Sequence, residues 1–188
     1  MICQKTPLEG LLLLQPTVHA DARGHFFESF NARVFEQLTG LKPAFVQTNE
    51  SLSHRGVLRG LHWQVKPCEQ GKLVRVVHGC VFDVAVDLRP TSSTFGQWYG
   101  CELNDTNHHQ LWIPPGFAHG FLALSSTAIT SYQVTAHHSA PHERSLKWDD
   151  PDLRIQWPLQ AAGVEQPVLS AKDAGAAAWA TMVRSRQF

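Results

Sequence analysis

The chain has 188 residues, 43% of them hydrophobic, enough for one substantial core and better suited to a single domain across residues 1–188 than to two. Its 16 Lys and Arg balance 16 Asp and Glu, so there is no global basic field to bind nucleic acid, and no long run of like charge marks a disordered tail. The apolar run Leu11–Leu14 falls far short of the roughly twenty residues of a membrane span. With no secretory signal ahead of them, the scattered Cys3, Cys68, Cys80 and Cys101 are expected to be reduced cytoplasmic thiols.

In chain order, short runs rich in Val, Phe and Trp predict strands at 24–30, 43–49, 72–88, 95–103, 108–114, 120–126 and 128–136. Between them, HGC, RPTSST, NDTN and PPG supply the Gly, Asn, Asp and Pro that turns require. Helical patterning is confined to the edges. Residues 32–40 end in Gly40, a candidate C-cap, and residues 170–183 open with Ser170 and Asp173 in the S-x-x-D start pattern. Many closely spaced strands with little helix between them predict an antiparallel, all-β sandwich or barrel.

The stretch RGLHWQVKPCEQGKLVR (59–75) alternates like a strand yet carries His62, Lys72 and two arginines. Turned toward a buried face, such side chains need a chemical reason. Two segments, GVLRGLHWQ from Gly56 and PPGFAH from Pro114, resemble the half-motifs of the cupin jelly roll. A metal-binding cupin usually has H-x-H followed by Glu in the first half and a further His in the second. Here Gln64 stands where the second imidazole would, leaving His62, His119 and at most Glu69, a poor donor set. The pairs His108-His109 and His137-His138 read as surface-loop residues rather than ligands, so neither a metal nor another cofactor is expected.

A closer resemblance covers roughly residues 20–173. DARGHFFESF, FVQTNES, GVLRGLHWQ, QGKLVR, VFDVAVDLR, STFGQW, QLWIPPGFAHGF, WDDPDLRIQWP and LSAKD stand in the order found in nucleotide-sugar epimerases typified by dTDP-4-dehydrorhamnose 3,5-epimerase. The resemblance implies a cupin-type jelly-roll barrel with short peripheral helices. It also implies a cofactor-independent isomerase acting on a dTDP-4-keto-6-deoxy sugar in dTDP-rhamnose biosynthesis. Hydrogens next to a ketone are acidified, so such an enzyme needs a base, a positive group at the ketone oxygen and an acid across the ring.

Carried onto this chain, the resemblance makes His62 the base, Asp173 its orienting partner, Lys72 the cation at the developing enolate and Tyr132 the opposite-face acid. It assigns Arg23 and Arg59 to the diphosphate, Glu28, Gln47 and Asn49 to hydrogen bonds with base and sugar, Phe26 to an aromatic face, and His119 to the substrate or the order of the pocket. It further implies a homodimer in which Arg23 and Phe26 serve the neighbouring subunit's site.

The sequence departs from that family after Tyr132, where Gln133 replaces a usual lysine and His137 and His138 stand where two tyrosines would. The spacer before Asp173 is longer too. These changes leave nucleotide specificity, and epimerisation at both carbons rather than one, open. The rival classes are a metal-dependent cupin enzyme and a catalytically silent nucleotide-sugar-binding cupin.

Overall fold

The computed structural model describes residues 1–185. Thirteen strands fall into two large antiparallel sheets and one hairpin. The six-stranded sheet runs β1 (Ile2–Lys5), β2 (Leu12–Gln15), β10 (Gln110–Ile113), β7 (Lys72–His78), β12 (Thr127–Val134), β5 (Gln47–His54). The five-stranded sheet runs β13 (Glu143–Ser145), β6 (Leu58–Gln64), β11 (Phe117–Ala123), β8 (Cys80–Asp87), β9 (Trp98–Asn104). Strands β3 (His19–Asp21) and β4 (Gly24–Phe26) form the separate hairpin. This is the expected all-β, cupin-type jelly roll with few, short helices: α1 (Ala32–Thr39), α2 (Ala171–Ala174) and α3 (Trp179–Ser185). No helix of the described residues is long and apolar enough to cross a membrane, and the four cysteines are free.

Parts of both sheets are covered on both faces, which explains the apolar runs there. Between the sheets pack Leu11, Leu13, Val74, Val76, Phe117 and Phe121. Outside the five-stranded sheet, the chain after β13 lays Leu153, Ile155, Trp157 and Met182 against Leu61 and Val84. Outside the six-stranded sheet, Phe35 of α1 packs with Leu12, Leu14, Leu73 and Trp112. The leucine run therefore leads into β2, with Leu11 and Leu13 turned inward and Leu12 and Leu14 under α1, a strand that the absence of alternation hid.

Other boundaries move for local reasons. The 72–88 run is two strands, because Gly79 turns the chain at φ 77°. The strand expected at 43–49 begins at Gln47 and continues to His54. The 59–75 stretch is β6 and β7 with an intervening turn. Helix α1 ends as expected at Gly40, which at φ 71° donates to Glu36 O, and it starts at Asn31, whose Oδ1 accepts from Arg33 N and Val34 N. The continuous helix expected over 170–183 is instead α2 and α3, interrupted at Gly175.

One irregularity positions the site. Opposite β11, His62 faces His119 and Arg59 faces Phe121, so three steps along β6 match two along β11. This is a β-bulge, which turns both Arg59 and His62 toward the cavity while Leu61 packs in the outer cluster. Gly60 takes it up at φ 115°, and a Cβ there would lie 2.6 Å from the Gly120 Cα and the His119 carbonyl oxygen.

Candidate active site

The barrel encloses a cavity of about 410 Å3 lined by Arg59, His62, Lys72, His119, Tyr132 and Asp173, with Ser51, Phe121, Ser170 and the 57–58 and 168–169 segments completing its wall. Six of the sequence-derived candidates thus meet in one place. His62 and Arg59 come from β6 and His119 from β11 in one sheet; Lys72 comes from β7 and Tyr132 from β12 in the other. The cavity therefore lies between His62 and Tyr132, on opposite walls.

Asp173 arrives from 111 residues further along the chain. Helix α2 is started by Ser170, whose Oγ accepts from Asp173 N at 3.1 Å and donates to Asp173 Oδ2 at 2.9 Å. That leaves Oδ1 for His62, whose Nε2 donates to it at 2.5 Å. The carboxylate is 3% exposed. Burial opposes its charge, but the His62 and Ser170 hydrogen bonds prevail and hold its pKa below the usual carboxylate value. With Nε2 engaged, Nδ1 is the ring nitrogen left to take a proton.

Lys72 Nζ donates to the His62 carbonyl at 3.2 Å. Burial lowers its pKa from 10.5 to about 8, with Asp83 the leading group opposing that fall. It is thus mostly an ammonium at neutral pH, in a place where little water screens it. Burial raises the Tyr132 pKa, keeping the phenol protonated as a donor. Burial lowers the pKa of His119, whose Nε2 lies 2.9 and 3.0 Å from the two oxygens of Asp83.

Arg59 is held by Ser53 Oγ, which accepts from Nε at 3.0 Å, and by the Leu52 carbonyl, which accepts from the guanidinium at 3.1 Å. Asn49 sits opposite Tyr132 in the sheet, and Gln47 Nε2 donates to its Oδ1 at 2.7 Å, beside but not in the cavity wall. His138 N donates to Gln47 Oε1 at 3.1 Å, and its ring lies 3.6 Å from Glu143, which pairs with Lys172 at 2.7 Å. Three candidates stand apart. Arg23, paired with Asp21, and Phe26, 72% exposed, line a separate cleft on the β3–β4 hairpin, and the exposed Glu28 accepts from Asn31 Nδ2 at 3.1 Å.

Sequence reasoning missed Asp83 and Ser53 as partners of these groups, whereas Ser170 is the helix-start partner of Asp173 that the S-x-x-D pattern offered. Asp83 did leave a signal, a lone carboxylate in the apolar run VFDVAV; Ser53 left none. Among the described residues, no group of three or more His, Cys, Asp or Glu side chains is arranged to hold a metal ion.

A cupin-type barrel presenting these groups to one cavity is that of an isomerase working by proton transfer. A family model described as dTDP-4-dehydrorhamnose 3,5-epimerase matches residues 5–181. The dTDP-4-dehydrorhamnose 3,5-epimerase of Salmonella typhimurium is 51% identical over 176 residues, covering 94% of this chain and 94% of that protein. Among similar solved structures are an epimerase and a mono-epimerase. The dTDP-6-deoxy-D-glucose-3,5-epimerase RmlC from Legionella pneumophila, in complex with dTDP-4-keto-L-rhamnose, matches at 45% identity and a TM-score of 0.92, over 99% of this chain and 96% of that one. ChmJ, a 3'-monoepimerase from Streptomyces bikiniensis in complex with dTDP-quinovose, matches at 33% identity and a TM-score of 0.90, over 97% and 90%. The chain belongs to the dTDP-4-dehydrorhamnose 3,5-epimerase family.

Proposed function

We propose that the protein epimerises dTDP-4-dehydro-6-deoxy-D-glucose at C3 and C5, giving dTDP-4-dehydro-L-rhamnose for dTDP-rhamnose biosynthesis. The observation that carries this reading is the placement of the His62–Asp173 dyad and Tyr132 on opposite walls of one cavity, with Lys72 between two sheets beside them. His62 Nδ1 takes the proton from the carbon next to the ketone, and Asp173 stabilises the imidazolium that forms. The electron pair moves onto the ketone oxygen, where the Lys72 ammonium meets the developing charge. Tyr132 returns a proton from the other face, inverting the carbon; solvent then resets both groups before the second carbon reacts.

Arg59 takes a phosphate oxygen of the nucleotide, its fork held by Ser53 and Leu52. His119 contacts the substrate at the cavity floor, while Gln47 and Asn49 bind toward the nucleoside. Glu28 belongs to the same outer region, and Arg23 and Phe26 on the hairpin reach the site of a second copy in a homodimer.

Proton NMR of the purified protein with this substrate in deuterated buffer tests the reading. Deuterium entering both C3 and C5, with inverted product accumulating, is the expected result. Exchange at a single carbon would make the protein a mono-epimerase, a reading favoured by the His137-His138 segment and the likeness to ChmJ. Exchange at neither would overturn the assignment.

A further inference from the structure

Two residues beyond His62, β6 carries a polar side chain that the mechanism above does not use. Gln64 stands where a metal-binding cupin would have its second imidazole, and it is buried. Its amide is fully engaged with backbone: Nε2 donates to Cys68 O at 2.6 Å and to His137 O at 3.2 Å, while Oε1 accepts from Ser139 N at 2.5 Å. Only a carboxamide offers two donors and an acceptor at the end of such a chain. A carboxylate would turn lone pairs toward two carbonyls, and an imidazole has two nitrogens for three partners.

These bonds join the two sheets. Residues 135–142 carry the chain from β12 in the six-stranded sheet to β13 in the five-stranded one. Gln70 Nε2 holds the beginning of that segment, donating to Ala136 O at 2.7 Å, and Ser139 O closes the turn at its end by accepting from His142 N at 3.0 Å. Gln64 grips the backbone between those points, on either side of His138. From there His138 N donates to Gln47 Oε1 at 3.1 Å, and Gln47 Nε2 donates to Asn49 Oδ1 at 2.7 Å. Each donor fixes the orientation of the next amide, so Asn49 presents its Nδ2.

We propose that Gln64 is a positioning residue for the nucleoside half of the substrate: by locking residues 137–139 it sets the amide orientations of Gln47 and Asn49, and so governs affinity for dTDP rather than the chemistry. The inference rests on the nucleotide-sugar reading above, in which those two amides bind toward the nucleoside. Proton transfer is spared because the His62–Asp173 pair is anchored elsewhere, by Ser170 at the start of α2.

Calorimetric titration of the purified protein with dTDP, together with steady-state kinetics on the dTDP-4-keto sugar, tests it. Gln64→Met keeps the length of the side chain and removes all three bonds. The dissociation constant for dTDP and KM should both rise about tenfold or more, while kcat stays within about threefold of wild type. Gln64→Glu keeps the acceptor for Ser139 N but loses both donors; it should shift both constants the same way, and it serves should the methionine chain fail to fold. A general loosening of the fold would instead lower the active fraction, and with it the apparent kcat, without raising KM. In a Gln47→Ala background, Gln64→Met should weaken dTDP binding by less than about twofold more, because the route through which it acts is already gone.

Wild-type affinity for dTDP in a folded Gln64 variant, a fall in kcat at constant KM, or full additivity with Gln47→Ala would overturn the proposal. A wild-type protein with no measurable affinity for dTDP would sink the nucleotide-sugar reading itself, and this inference with it.

Discussion

Lys72 shows how far this site departs from what folding alone would choose. A lysine whose pKa falls from 10.5 to about 8 on folding binds its proton less well in the native state. Between those values the unfolded chain holds more protons, so stability rises with pH through that window; below it the buried ammonium costs about 3 kcal/mol. Lys72→Met is therefore expected to raise the unfolding free energy at pH 7 by about 1–3 kcal/mol in urea titrations, while proton exchange from the dTDP-4-keto sugar falls at least ~100-fold. A destabilised Met variant would contradict the account. Asp173 has the opposite sign: its lowered pKa stabilises the fold above the usual carboxylate value and is lost as pH falls through its native value. In Asp173→Asn the His62 ring keeps a polar neighbour but loses its counter-charge. We expect kcat to drop about 100-fold or more with a small change in KM, and an unchanged kcat would remove Asp173 from the mechanism.

At the scale of elements, the bulge in β6 decides which side chains reach the cavity. Gly60→Ala introduces a Cβ 2.6 Å from backbone on the neighbouring strand, where nothing flexible can yield, at a φ of 115° that disfavours a side chain. The expected loss is about 2–4 kcal/mol in urea unfolding, with activity reduced in the folded fraction because His62 shifts; a loss under about 1 kcal/mol would mean that the bulge relaxes. Much of this architecture is legible in the sequence because turn residues punctuate it. Gly40 ends α1 as read, and His62 and Lys72 stand out because a strand interior does not carry such groups idly. The bulge was not legible, since one extra residue changes no local propensity. Strand β2 was hidden because both its faces are covered. The C-terminal helix was overextended because alanines favour helix on either side of Gly175, and the break is set by Trp179 N, which donates to the buried Asp150 carboxylate at 2.7 Å.

At the scale of the whole molecule, the chain gathers one cavity from both sheets and from a helix more than a hundred residues away. That assembly was legible only through motif order: no spacing rule links His62 to Asp173. Arg23 and Phe26 remain outside the cavity because the hairpin that carries them projects from the barrel. If they complete a partner's site, Arg23→Ala and His62→Ala chains, each nearly inactive alone, should complement when co-expressed. A two-fold dimer then has one intact site per heterodimer, so a random mixture should recover roughly a quarter of wild-type activity; activity no greater than that of the separate variants would place Arg23 elsewhere. The central claim is that His62 removes the proton. The most direct measurement is deuterium incorporation from solvent into dTDP-4-keto-6-deoxyglucose, followed by NMR for wild type and a folded His62→Ala variant. Exchange at C3 and C5 that is lost at both carbons in the variant is the predicted result, whereas exchange persisting at the wild-type rate would assign the base to another residue.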